Sequence, residues 1–267
     1  MLALVVWRNI AQPMQGFEDL RRRAALVDVA ETALNRMTRE MRLALPNGIR
    51  IDAAGQALEM LRTVSGGRYR AQPAPVGPSD PLDFTASDDL FDVLGPMPPA
   101  GAIAGGASGV ADCMAGPSDC LVIYNTGQPA DCAAPVSPKA NAYCGSNIAG
   151  IVAVAANSLH FTRSDAGTPF PLRSPAQRFY IVDTPVSFVC DAATQTLRHY
   201  SGYPIGAVQT VPPGGTSALL GNHVSACSFT YDPGTATRGG LVTISLTVSD
   251  QGESVTLLQQ VHVPNAP

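Results

Sequence analysis

The sequence predicts an α+β fold, one long N-terminal helix followed by a mainly antiparallel β-sheet. Three observations carry that reading. Apolar residues at Leu20, Ala24, Val27, Ala30, Leu34, Met37, Met41 and Leu45 recur at about the helical period of 3.6. After Ile49 the period changes to two, and no alternation of strands with long helices follows. Finally, 25 Gly and 23 Pro with 45% hydrophobic and only 14% charged residues describe a turn-rich chain that can still build a core.

The helix is expected over residues 17–45. Glu18/Arg22, Asp19/Arg23 and Arg36/Glu40 lie at i,i+4 on its wet side. Pro46-Asn47-Gly48 should stop it, because proline cannot continue the hydrogen-bond ladder and pushes its predecessor out of the α region. Leu2 to Gln15 can also be helical, with a kink at Pro13 and Gly16. A helix of residues 17–45 would be ~44 Å long, against an expected radius of gyration of ~18 Å for a compact chain of this length. With residues 1–16 attached it should protrude. Its reverse face, Ala25, Val29, Thr32 and Ala33, is small enough to accept a second packing partner, although an ordinary helix with one buried face fits equally well.

Beyond the helix, Ile49-Arg50-Ile51, Ala57 to Val64 and Arg68-Tyr69-Arg70 read as a small meander, with Gly66-Gly67 as a tight turn. Prolines 73, 75, 78, 81, 96, 98 and 99 with the Gly-Ala runs then predict an irregular stretch, extending over 73–150 in its widest reading. Strands are expected at Cys120–Tyr124, Ser158–Thr162, Arg178–Val182, Val186–Cys190, Thr196–Tyr200 and Val224–Tyr231. Val242, Ile244, Leu246 and Val248 alternate with polar residues, and Asp250-Gln251-Gly252 leads into Val255 to Val263, a hairpin with one buried face. The expected division is an N-terminal helix, 1–45, and a β-rich globular part, 46–267.

Charge is unevenly placed. Residues 1–70 hold eleven arginines against seven carboxylates, whereas residues 71–267 hold six basic and fourteen acidic residues. A net charge of −4 excludes a nucleic-acid binder that works through a broad basic face. Six cysteines without a Cys-x-x-Cys read as disulfides, hence an oxidising compartment. Cys190 and Cys227 fall on strands of one sheet region and should pair, leaving three connectivities for Cys113, Cys120, Cys132 and Cys144. The apolar opening Leu2 to Trp7 is far short of the ~20 residues that span a bilayer and lacks a basic leader. The expectation is therefore that the sequence begins partway through an export segment.

Chemistry-bearing motifs are sparse. His160, His199, His223 and His262 show no metal-ligand spacing, and Gly-x-Ser-x-Gly is absent. Gly101, Gly105, Gly106 and Gly109 lack the Gly-Lys-Ser/Thr of a phosphate loop. Asp88, Asp89 and Asp92, and Asp112, Asp119 and Asp131, lack the spacing of a calcium loop and read as solvated turns. No catalytic residue, cofactor or metal is expected.

Several segments together resemble a known family. Arg8 with Pro13-Met14-Gln15-Gly16-Phe17, the run Arg42-Leu43-Ala44-Leu45-Pro46-Asn47-Gly48-Ile49-Arg50, the run Asp183-Thr184-Pro185-Val186-Ser187-Phe188-Val189-Cys190-Asp191, and the ending Gln260-Val261-His262-Val263-Pro264-Asn265-Ala266-Pro267 are similar to type IV pilin-like proteins, in particular minor pilins of the mannose-sensitive haemagglutinin (MSHA) type. The similarity covers most of the chain and is weakest across 95–150. It implies a helix whose first half is a membrane anchor and later the filament core, and whose second half packs on a sheet. It also implies a structural subunit that helps initiate or cap a pilus, with other major and minor pilins and the inner-membrane assembly machinery as partners. Its places would be the inner membrane and periplasm before assembly and the cell surface afterwards. The family's Gly-Phe-Thr-Leu-Ile-Glu processing segment is missing, so Met1 falls inside the apolar half-helix. A pseudopilin of type II secretion is the nearest alternative, and a receptor- or glycan-binding module acting through loop 73–150 is a reading of a different class.

Overall fold

Residues 2–99, 101–165, 169–235 and 238–265 are described by the computed structural model, with side chains from Gly16 onward. In chain order the elements are α1 (Leu2–Met41), β1 (Ala44–Ile51), β2 (Ala57–Tyr69), β3 (Leu90–Leu94), α2 (Val110–Ala115), β4 (Cys120–Ile123), β5 (Ile148–Val154), β6 (Ser158–Thr162), β7 (Arg178–Asp191), β8 (Thr196–Ser201), β9 (Thr216–Gly221), β10 (Val224–Asp232), β11 (Gly240–Asp250) and β12 (Glu253–Val263). The expected α+β, pilin-like helix-on-sheet fold is therefore corrected. Among the described residues the chain is mainly β, with twelve strands in antiparallel sheets against one long α-helix, one short α-helix and a three-residue 3-10 helix at Ala142–Cys144.

The difference has local causes. Gly66-Gly67 makes no turn, and β2 runs straight through it. A Cβ at Gly66 would lie 2.9 Å from the Phe179 carbonyl oxygen and one at Gly67 2.9 Å from the Phe179 ring, so these glycines permit the close approach of β7. The two strands expected at 178–182 and 186–190 are one, β7, which keeps Pro185 inside a 14-residue run. Strand β3 hides among prolines, β5 contains Gly150 where Ala107 and Gly109 press close, and β9 is a six-residue edge strand.

Nine strands form one sheet in the order β1-β2-β3-β6-β5-β4-β7-β8-β9, with an additional β2–β7 pairing. That extra pairing closes a ring, β2-β3-β6-β5-β4-β7, whose members all pair antiparallel. The long β2–β7 ribbon serves two structures. Its Thr63–Arg68 end belongs to the six-stranded ring, while its Ala57–Leu61 end sits in an open sheet between β1 and β8. Register shifts near Thr63 mark the change, as expected where a bulge re-aims a strand. The ring is filled by Tyr69, Phe91, Phe161, Phe179, Ile151 and Ile181 among others. Ring centroids of Phe91 and Phe179 stand 5.4 Å apart in an edge-on contact.

A second core lies between the open part of this sheet and the three-stranded sheet β10-β11-β12. Helix α1 is wedged there by Leu26, Ala30, Ala33, Leu34, Met37 and Met41. Each large apolar side chain so buried contributes about 1.5–3 kcal/mol. The expected packing face is thus half right. Ala30, Leu34, Met37 and Met41 are buried and Val27 is half-buried, but Ala24 is exposed and Leu20 is 67% exposed. The periodic stripe continues beyond the surface that could cover it. On the reverse face Ala33 is buried and Val29 half-buried against Gly221 of β9, whereas Ala25 and Thr32 remain exposed.

The helix also ends earlier than 45. Ala44 already pairs with Arg62, and Pro46-Asn47-Gly48 forms a bulge inside β1, with Asn47 at φ 55°. Leu45 is fully buried, but in a third cluster with Leu61, Val122 and Tyr143. Pro46 therefore does not stop the helix as expected: α1 has already ended at Met41, and strand pairing from Ala44 takes the chain up before the proline arrives.

Candidate functional site

Three features of α1 and its surroundings bear on function. The first is the helix before Leu26. Residues 16–25 are exposed apart from Arg22, which is half-buried and reaches Asp19 at 3.2 Å and Asp250 at 3.9 Å. Phe17 and Leu20, one turn apart, are 68% and 67% exposed. Large apolar side chains on a helix that has left its own core form a surface that a partner can cover. Among the described residues no helix is long and apolar enough to cross a membrane.

The second feature is covalent. Cys190–Cys227 forms as expected and ties β7 to β10, so it joins the two sheets around α1. The four cysteines left open pair as Cys113–Cys120 and Cys132–Cys144. Both close short loops within the 73–150 region, which is therefore braced rather than formless. It holds β3, α2, β4 and the start of β5.

The third feature is a set of polar clasps. Arg50 of β1 donates from Nε and Nη2 to Glu59 of β2 at 2.9 and 2.6 Å, from Nη1 to the Ala207 carbonyl at 2.9 Å and from Nη2 to the Gly206 carbonyl at 3.0 Å. Its guanidinium also lies 3.8 Å from the Tyr143 ring centroid. Glu59 is 1% exposed. Burial pushes its carboxyl above the ordinary value, and Arg50 offsets only part of that rise. The same cluster holds Tyr203, whose hydroxyl meets Ser187 at 2.6 Å. This group anchors loop 202–215, which lines a cleft of 310 Å³.

At the other end of the open sheet His199 of β8 meets Glu40 of α1 at 2.8 Å. Burial alone would raise the Glu40 carboxyl, but the hydrogen bond and charge of His199, joined by Arg36, bring it below its ordinary value of 4.5. A carboxyl lowered in the folded chain adds stability above that value and loses it as pH falls through the folded pKa. Glu40→Gln should therefore flatten the loss of stability between pH 6 and pH 3, read as the difference in urea midpoint from the parent chain. An unchanged acid limb would show that the clasp does not couple α1 to β8.

The remaining candidates separate. His160 and His262 are exposed, and His223 stands 3.8 Å from Asp250. Asp92 accepts from Arg70 and the Asp80 amide, Asp88 from the Asp83 amide, Asp112 from the Ser108 amide, Asp119 from the Ala104 amide and Asp131 from the Ala133 amide. The Asp89 carbonyl accepts from Phe161. Gly101 and Gly106 adopt positive φ, whereas Gly105 and Gly109 lie close against Val152 and Asp165. Among the described residues no group of three or more His, Cys, Asp or Glu could hold a metal ion. The sequence reading missed the Arg50–Glu59 clasp, which joins residues nine apart to a loop more than 150 away, and missed a cationic cleft beside Phe84 and Phe170. The unbroken apolar surroundings of Glu59, Ala57-Leu58 before it and Met60-Leu61 after it, could have flagged a carboxylate inside a strand buried on both faces; nothing local marks the cleft. No family model, curated protein or solved structure matches this chain.

Proposed function

We propose that the chain is a non-enzymatic structural subunit, a minor pilin of a type IV, MSHA-like pilus that helps initiate or cap the filament. The observation that carries the reading is α1 itself. Its apolar stripe, which inside the body runs through Leu34, Met37 and Met41, continues outward through Leu20 and Phe17, which none of the described residues covers. Packing against equivalent helices of other pilins would supply the missing cover. The three disulfides support an oxidising compartment, periplasm before assembly and cell surface after it. The segment resemblance at both ends of the chain adds to this. The fold does not, and the proposal makes no use of it.

Phe17→Asp with Leu20→Asp tests it. Both residues lie outside the core, so thermal unfolding of the purified chain should stay within about 1 kcal/mol of the parent. Recovery of the chain in sheared surface filaments should fall at least tenfold, because a charge on each helix would meet an apolar partner. Wild-type recovery of the double variant, or absence of the parent chain from both filaments and assembly machinery, would overturn the proposal.

A further inference from the structure

The acid-rich part of the chain places half of its few cations in or beside one cleft. Of the six basic residues beyond position 70, Lys139 and Arg163 line a cleft of 480 Å³, and Arg173 stands 5.1 Å from the ring centroid of Phe84 in its wall. None of the residues lining the cleft is acidic. Its apolar surfaces come from Phe84, Phe170 and Pro138. The volume lies within the ~300–1,000 Å³ usual for small-ligand sites.

Arg163 is the anomalous member. It is 8% exposed, stacked 4.6 Å from the Phe170 ring centroid, and held by one hydrogen bond of 2.9 Å from Nη2 to the Ser146 carbonyl. Its Nε and Nη1 have neither a hydrogen-bond partner nor contact with solvent. Asp165, close in sequence, opposes part of the effect of burial through its charge, and its carboxylate also accepts from the Val110 and Ala111 amides of α2 at 2.7 Å each. A guanidinium stripped of water and short of acceptors is costly, and a negative charge in the adjoining cleft would recover part of its lost solvation through a low-dielectric path. Burial lowers the Arg163 pKa to about 10, which still leaves it charged at neutral pH. Lys139 donates to the Cys132 carbonyl at 2.7 Å and retains two further N–H donors. The Cys132–Cys144 disulfide fixes the loop that carries it.

We propose that this cleft binds a saccharide bearing a carboxylate. The charge of the buried guanidinium calls for an anion, and the Lys139 ammonium, with donors to spare, suits a carboxylate as the direct partner. The Phe and Pro surfaces call for a flat body with apolar C–H faces, and the exposed Ser137 of the lining suits its hydroxyl groups. A pyranose acid combines these properties in one molecule. The inference stands apart from filament assembly, and its failure would leave that reading untouched.

The test titrates the folded full chain with digalacturonate, with the neutral digalactose of the same linkage, and with inorganic phosphate, following heat by calorimetry and Lys139 and Phe170 by NMR. Digalacturonate should bind at least tenfold more tightly than either other probe, with shifts at both residues. Lys139→Gln should weaken that binding about tenfold, the worth of one charge-assisted hydrogen bond, with the unfolding midpoint unchanged. Arg163→Gln should abolish binding, and Lys139→Gln keeps the question answerable if that buried change impairs folding. Equal binding of the neutral disaccharide, binding of phosphate as tight as that of digalacturonate, full affinity in Lys139→Gln, or no binding at all would each overturn the proposal.

Discussion

Replacing Arg50 by methionine is expected to cost about 3 kcal/mol of folding stability at pH 7, because it strands the Glu59 carboxylate in the interior without its partner. The Glu59 side chain is only 2% exposed, and the change also removes the bonds to the Gly206 and Ala207 carbonyls and the stack on Tyr143. The pH dependence fixes the cause. Glu59 already holds its proton more tightly in the folded chain than outside it, so its contribution is complete at low pH and is lost as pH rises through the raised folded value. Without Arg50 that value climbs further, so the deficit should be largest at neutral pH and shrink toward pH 4. Replacing Glu59 by glutamine as well should restore a large part of the loss at pH 7 and remove its pH dependence. Urea unfolding of the parent, single and double variants at the two pH values measures this. A deficit equal at both would mean that lost packing, not stranded charge, is responsible.

The second large effect belongs to Cys190–Cys227. The bond spans 37 positions, and in the chain-entropy treatment a loop of that length is worth about 4 kcal/mol. Changing both cysteines to alanine avoids a free thiol, and the double variant should lose most of that amount in a urea titration. The loss should exceed that from removing either of the other two bonds, which span 7 and 12 positions. The bond is also the covalent link between the sheets on either side of α1, so its removal should loosen the helix, read as faster amide exchange at Ala33 and Met37. A stability change under 1 kcal/mol would show that the packed core of Leu34, Met37 and Phe188 already holds the two sheets in place.

What could be read from sequence follows from how far apart the interacting residues lie. The 3.6-residue stripe marked α1 because helical neighbours are three and four positions away. Strict alternation marked β11 and β12 for the same local reason. It could not mark where the helix leaves its support, because cover for Leu20 depends on where β11 and β12 end relative to α1, a tertiary fact. Likewise Gly66-Gly67 carries an ordinary turn signal, overridden by the contact with Phe179 more than a hundred positions on. The mainly β architecture was under-read because β3, β5 and β9 are short and interrupted by Gly or bordered by Pro. Cysteine parity gave the disulfides, and strand placement gave one pairing of three. The cationic cleft was not legible, since Phe84, Lys139, Arg163 and Phe170 meet only after the ring has closed.

The ribbon formed by β2 and β7 has a mechanical corollary. Because the same two strands complete the aromatic-filled ring at one end and floor the helix-bearing sheet at the other, neither half owns a boundary along which it could come away. A load applied to α1 would pass through the core that holds Met37, Met41, Met60 and Phe188, and from there along the β2–β7 ribbon, across its register shifts near Thr63, to Phe179. The molecule would yield as one piece rather than shed a module.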